Sequence, residues 1–291
     1  MEDKIRLGII GGSGVYSIEG LSDVKKTAVS TPFGDPSDKL ITGTLDGNSV
    51  AFLPRHGQGH RIIPAGINYR ANIWALKKMG AEMIVSVSAV GSMKEDIHPG
   101  DIVVVDQFVD ITRSRVSTFF GNGLVGHVSF SRPVCPLLAE LLSDTCRSAG
   151  IRSHPKGTYI CIDGPQFSTF AESCIYRSWG VDVIGMTAAT EAKLAREAEI
   201  CYSAMALVTD YDCWNTDHEA VTMEAVVTQM KVNVINAKKI LEEVIPVLLQ
   251  SGKYRECPCR SSLSVSIQTR PESVSPEMKE KLKLLTGKYL K

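Results

Sequence analysis

No block of five or more Lys or Arg occurs in this 291-residue chain, and its 32 basic side chains are matched by 32 acidic ones. The long-range attraction that nucleic acid or an anionic membrane surface requires is therefore missing, and a small molecule is the expected partner. No apolar run approaches the roughly 18 residues of a membrane-spanning helix. Met1, followed at once by two acids, does not open a secretory or transit peptide, so the chain is expected in the cytoplasm. Several chemistry-bearing patterns are also absent. G-x-G-x-x-G fails because Ser17 holds the place of the last glycine, and G-x-S-x-G fails at Val15. No P-loop occurs, no C-x-x-C pair occurs, and His218-Glu219 does not complete H-E-x-x-H. Dinucleotide, NTPase, serine-hydrolase and zinc-protease readings lose their footing.

What is present is an ordinary globular composition, 44% apolar and 22% charged, that excludes disorder, collagen and coiled coil. Strand-like and helix-like segments alternate. Strands are expected over residues 6–10, 50–54, 83–90, 101–108, 157–162, 181–184 and 200–208. Helices are expected over 67–79, 136–149, 168–179, 188–198 and 222–249, with Pro246 ending or bending the last. Composition changes after residue 250. Residues 251–276 read as an irregular extension, closed by a short helix over 277–285 that Pro276 opens. Residues 1–250 thus form one α/β domain around a parallel or mixed sheet, with 251–291 as a C-terminal extension packed on it or between subunits. Six of the eight cysteines stand singly and read as reduced, partly buried thiols, whereas Cys257 and Cys259 flank a proline.

Ligands of such sheets sit beyond the carboxyl ends of strands, and four predicted strand ends carry anion-binding groups. The first delivers the glycine turn of residues 11–14 with the Ser13 hydroxyl, the second Arg55-His56, the third Ser86 to Ser92 around Ser88 and Ala89, and the fourth Met186-Thr187. Each alone reads equally well as a turn or a surface pair, but their convergence points to an oxyanion site. A fifth strand ends in Asp210-Tyr211-Asp212. Spacing of two puts both carboxylates on one side if the strand persists, and burial of like charges raises one pKa so that it holds a proton to give. An Asp-capped turn explains the same residues without function.

Residues 8–14 (GIIGGSG), 31–37 (TPFGDPS), 55–57 with His60, 68–76 (NYRANIWAL), 99–103 (PGDIV), 163–168 (DGPQFS) and 209–214 (TDYDCW) together resemble the trimeric purine nucleoside phosphorylases, and within them the 5'-methylthioadenosine phosphorylases. The resemblance spans roughly residues 5–250 and implies a mixed, partly barrel-like central sheet surrounded by helices. Carried over by position, it implies that Ser13, Arg55, His56, Ser88, Ala89 and Thr187 bind phosphate, that Met186 lies against the ribose and that Phe167 packs on the purine. Ser13 and Ser88 replace threonines of the animal enzymes, and Gln166 replaces an arginine; the hydroxyls survive.

Enzymes for 6-oxopurines carry glutamate and asparagine where this chain has Ser168 and Asp210. A carboxyl group accepts from a 6-amino group, so adenine is the expected base. Met223 and Val226 match the apolar wall of the 5' pocket, which suits a thioether. His127 matches a position contributed to a neighbouring subunit's pocket. The implied reaction is phosphorolysis, with Asp210 as acid, Asp212 supporting it, inorganic phosphate as co-substrate and no metal or organic cofactor. The competing implication is a purine nucleoside phosphorylase for adenosine or 6-oxopurine nucleosides. A homo-oligomer, trimer or dimer of trimers, is implied as well. Cys257 and Cys259 resemble a C-x-C of some archaeal thermophile relatives, read as a strained, labile disulfide or as two exposed free thiols.

Overall fold

The computed structural model describes residues 5–12, 15, 18–215 and 223–290. Its strands are β1 (Leu7–Gly11), β2 (Ser22–Thr27), β3 (Leu40–Leu45), β4 (Asn48–Pro54), β5 (Met83–Ser92), β6 (Ile102–Val105), β7 (Gln107–Asp110), β8 (Ser153–His154), β9 (Thr158–Cys161), β10 (Val183–Gly185) and β11 (Cys201–Asp210). Its helices are α1 (Tyr69–Met79), α2 (Pro136–Ser148), α3 (Phe170–Ser178), α4 (Ala188–Glu197), α5 (Met223–Ser251), α6 (Pro276–Lys281) and α7 (Lys283–Thr286).

Strand β5 organises the sheet. Over residues 83–86 it pairs in parallel with β1 on one edge and with β11 on the other; at Gly91 and Ser92 it pairs antiparallel with β10. The row β2-β3-β4-β1-β5-β10-β9-β7 therefore branches at β5, where β11 leads off to β6 and β8. Both branch strands are built mostly of apolar and small residues, as burial on two faces demands, and the first nine residues of β11 are all buried. Helices cover the sheet, so the α/β fold with a mixed sheet surrounded by helices is the one the chain adopts.

Several element expectations are corrected. The run 101–108 is two strands, because Asp106 leaves the ladder: β6 pairs with β11, β7 pairs with β9, and Asp106 exchanges bonds with Gly157 between them. Pro246 lies inside α5 and does not end it; Leu248 and Leu249 beyond it remain buried. The helix expected over 277–285 is broken at Leu282 into α6 and α7. β2 has no counterpart in the sequence reading, since its SDVKKT run is a charged, exposed edge with no apolar alternation. In the segment after α5, Tyr254, Cys257 and Cys259 join one core cluster, and Leu263, Val274 and Leu285 another.

Candidate active site

Asp210 ends β11 beside Gly91 of β5. The ladder shifts register between Val208 and Asp210, and the chain leaves the strand, with Asp212 at a φ of 50°. The two carboxylates are thus not aligned by strand pleating, as spacing of two suggested. They are linked instead by a turn in which the Asp212 amide donates to Asp210 Oδ1 at 2.8 Å, while the Thr209 hydroxyl donates to Oδ2 at 2.6 Å. Asp212 in turn accepts from the buried Ser173 hydroxyl of α3 at 2.5 Å. Burial pushes the pKa of Asp210 up against those two hydrogen bonds. Burial raises Asp212 as well, and the neighbouring Asp210 charge adds to it.

Three further strand ends lie alongside. Ser88 is buried and its hydroxyl has no hydrogen-bond partner, while the next residue, Ala89, is the one exposed position of β5. An unpaired buried hydroxyl costs roughly 1–3 kcal/mol unless a ligand or water satisfies it. Thr187 stands at the N-cap of α4, its side chain free of any capping bond and its amide donating to the Tyr159 hydroxyl at 3.3 Å. The amino end of a helix favours an anion there.

Arg55 departs from the expected open guanidinium. It is 2% exposed and clamped by Glu191 through Nε and Nη2, with Nη2 also donating to Ser86 Oγ at 2.6 Å and Nη1 to the Val87 carbonyl at 3.1 Å. Of the five donors of a guanidinium, a single N–H on Nη1 is left for an outside oxyanion. His56 is half-buried and stacks on His60 at 4.2 Å between ring centroids. Its Nδ1 lies 2.8 Å from the Ile62 carbonyl, which only accepts, so Nδ1 carries the proton and Nε2 of the neutral ring is an acceptor. Burial and then the Arg55 charge push its pKa down to about 4.

The loop from 162 to 168, which runs beside Met186, is held by Arg115. This guanidinium donates to the carbonyls of Ile162, Asp163 and Met186, and its side chain is 1% exposed. Met186 thereby meets Gly164 closely: a Cβ on that glycine would come within 2.4 Å of Met186 Sδ. Phe167 is 45% exposed, and the Ser168 hydroxyl is buried without a partner. Val226 is half-buried on α5. His127 is exposed, on a segment whose amide bonds to the Ser266 carbonyl, and joins none of these groups. Ser13 and the Met223 side chain lie outside the described residues, as do His218 and Glu219. Cys257 and Cys259, expected as exposed thiols or a bridge, are free and buried.

Three supporting residues escaped sequence reading. Glu191 had a signal: it falls on the alanine-lined face of α4 with Ala188, Ala192 and Ala195, where a charge needs a partner. Ser173 and Arg115 had none, because each meets its partners only across the fold.

Residues 6–246 match the model of the phosphorylase superfamily. The chain is 53% identical over 286 residues to an S-methyl-5'-thioadenosine phosphorylase of Koribacter versatilis, covering 98% of this chain and 97% of that one. It is 52% identical to the S-methyl-5'-thioadenosine phosphorylase of Geobacter sulfurreducens, over 98% and 99% of the two chains. Among solved structures, a methylthioadenosine phosphorylase from an antarctic soil metagenomic library superposes with a TM-score of 0.92 at 44% identity, over 98% of this chain and 99% of that one. Methylthioadenosine phosphorylase from Schistosoma mansoni, in complex with adenine, gives 0.83 at 35% identity over 91% and 99%. With the strand-end groups in place and the match running through every one of them, the chain belongs to the phosphorylase superfamily.

Proposed function

We propose that this chain cleaves 5'-methylthioadenosine with inorganic phosphate, giving adenine and 5-methylthioribose 1-phosphate in purine and methionine salvage. The observation that carries the reading is Asp210, a half-buried carboxyl of raised pKa beside Gly91 in the strand pairing, three residues beyond the unpartnered Ser88 hydroxyl. Adenine leaves as the C1'–N9 bond breaks and its electron pair moves into the base. Asp210 gives its proton, or a strong hydrogen bond, to N7, and a phosphate oxygen forms the new bond to C1'. Asp212, fixed by Ser173, orients that acid. Ser88, the Ala89 amide and Thr187 donate to the phosphate together with Ser13, and the neutral His56 accepts from its P–OH through Nε2. Arg55, tied to Glu191, offers at most one N–H and otherwise fixes the strand ends from behind. The unpartnered Ser168 hydroxyl, Phe167 and Met186 face the nucleoside, and Met223, Val226 and a neighbouring subunit's His127 close its 5' end. Phosphate is the co-substrate, and no other cofactor takes part.

The enzyme works as a homo-oligomer, a trimer or dimer of trimers, in the cytoplasm. The oligomer is supported by α3 and its approach, where Phe167, Phe170, Ile175 and Trp179 are each about half exposed and a single residue of the helix is buried. No helix among the described residues is long and apolar enough to cross a membrane. Initial rates on methylthioadenosine, adenosine and inosine, with and without phosphate, test the reading. Phosphate-dependent adenine release from methylthioadenosine is expected, with Asp210→Asn slower by about 10²–10⁴-fold. Preference for inosine would refute the base assignment, and release without phosphate would make the enzyme a hydrolase.

A further inference from the structure

Four thiols from three distant parts of the chain meet in one place. Cys135 immediately precedes α2, Cys201 opens β11, and Cys257 and Cys259 flank Pro258 in two consecutive 3-10 turns after α5. Their sulfurs lie within 4.8 Å of one another, that of Cys135 being 3.5 Å from that of Cys257, and all four residues are buried. We infer that Cys135, Cys201, Cys257 and Cys259 form a tetrathiolate site for one zinc ion that pins the C-terminal segment to the body of the protein. The inference is independent of the reaction proposed above.

The distances favour this occupant. Four sulfurs around zinc at about 2.3 Å stand about 3.8 Å apart, close to the spacing found, whereas a disulfide needs about 2.05 Å. Thiolate sulfur is also the donor that selects zinc over magnesium or calcium. The backbone presents the four ligands on rigid supports. The Cys135 amide donates to the Tyr202 carbonyl at 2.7 Å, the Cys201 amide to the Glu82 carbonyl at 3.0 Å, and the Cys257 amide to the Tyr254 carbonyl at 3.1 Å. Positive charge follows the cluster in the chain. Arg260, the residue after Cys259, and Arg6 share the Glu82 carboxylate and both stack on Tyr254, and Nη1 of the first and Nη2 of the second are buried without a hydrogen-bond partner. Binding releases one proton from each thiol to solvent, four in all, so zinc affinity falls as pH is lowered. The spacing hides the site from sequence reading: Cys-x-Cys with partners over fifty residues away is not a zinc-ribbon pattern.

The test is elemental analysis of the full chain, purified in reductant without chelator, then stripped under reducing conditions and reloaded with zinc or cobalt. About one zinc per chain is expected, with the charge-transfer bands of tetrahedral thiolate cobalt in the substituted protein. The Cys257→Ser, Cys259→Ser double variant should hold less than about one tenth of that zinc, while Cys174→Ser, at an exposed thiol outside the cluster, should retain all of it. If the double variant does not fold, metal content, cobalt spectrum and intact mass of the unaltered chain still decide. Wild type without zinc after reloading, a cobalt spectrum without thiolate bands, or a mass showing two disulfides in the reduced preparation would overturn the site. So would full zinc in a folded double variant.

Discussion

A Cβ on Gly91 would stand 2.9 Å from Asp210 Oδ1 and 3.1 Å from Ile184 Cγ2, so this position admits no side chain while the carboxyl keeps its place. Gly91→Ala is expected to push Asp210 out of line, at about 1–3 kcal/mol of overpacking. Expressed in the transition state, that is about 10–100-fold in kcat. Turnover and urea denaturation of the variant, measured side by side, check it; unchanged turnover would mean that Asp210 tolerates displacement and is not the acid. At this scale much of the candidate site was legible. Asp210, Ser88, Thr187 and His56 are strand-end or helix-start residues of types that bind oxyanions and give protons. The commitment of Arg55 was not legible, because its partner Glu191 lies 136 residues away and meets it only across the sheet.

Helix α3 shows how an element serves the site while giving the core little beyond Tyr176. Its nine residues bury only Ser173, the residue that holds Asp212. Its local stability rests on the capping box, in which the Thr169 hydroxyl accepts from the Glu172 amide while the Glu172 carboxylate accepts from the Thr169 amide. Thr169→Ala should cost about 1 kcal/mol. Amide exchange over residues 170–178 should then speed up about fivefold, with a smaller loss of kcat through Ser173. Exchange unchanged in the variant would show that other contacts, not the cap, hold the helix. The helix itself was legible from its sequence to within two residues at each end. The turn carrying Asp212 was not, because the register shift before Asp210 cancels the period of two on which the strand argument rested.

Across the whole molecule, buried titratable groups oppose one another in acid. His56 has a pKa near 4 against an ordinary 6.5, so the unfolded chain binds more protons between these values, and this contribution is present above 6.5 and lost as pH falls through 4. Glu197 accepts from the Thr118 hydroxyl and the Phe119 amide, yet burial pushes its pKa up to about 7 from 4.5. Its contribution has the opposite sign, present below 4.5 and lost as pH rises through 7. Asp210 and Asp212, also raised, act in the direction of Glu197. His56→Asn keeps a donor for the Ile62 carbonyl and removes only the titration. Its denaturation midpoint, relative to wild type, should therefore improve on going from pH 7 to pH 5. Parallel pH curves for the two proteins would show that His56 titrates normally.

The sequence by itself determined the α/β class, the order of most strands and helices, and the residue types at the strand ends for which a phosphate and nucleoside site is proposed. These follow from local rules, since hydrophobic period and turn chemistry are written within a dozen residues. Tertiary structure alone decided the branch at β5, the clamp of Glu191 on Arg55, the Ser173 support of Asp212 and the meeting of four cysteines. Each joins groups far apart in the chain, and no period or spacing records which distant side chains burial will bring into contact.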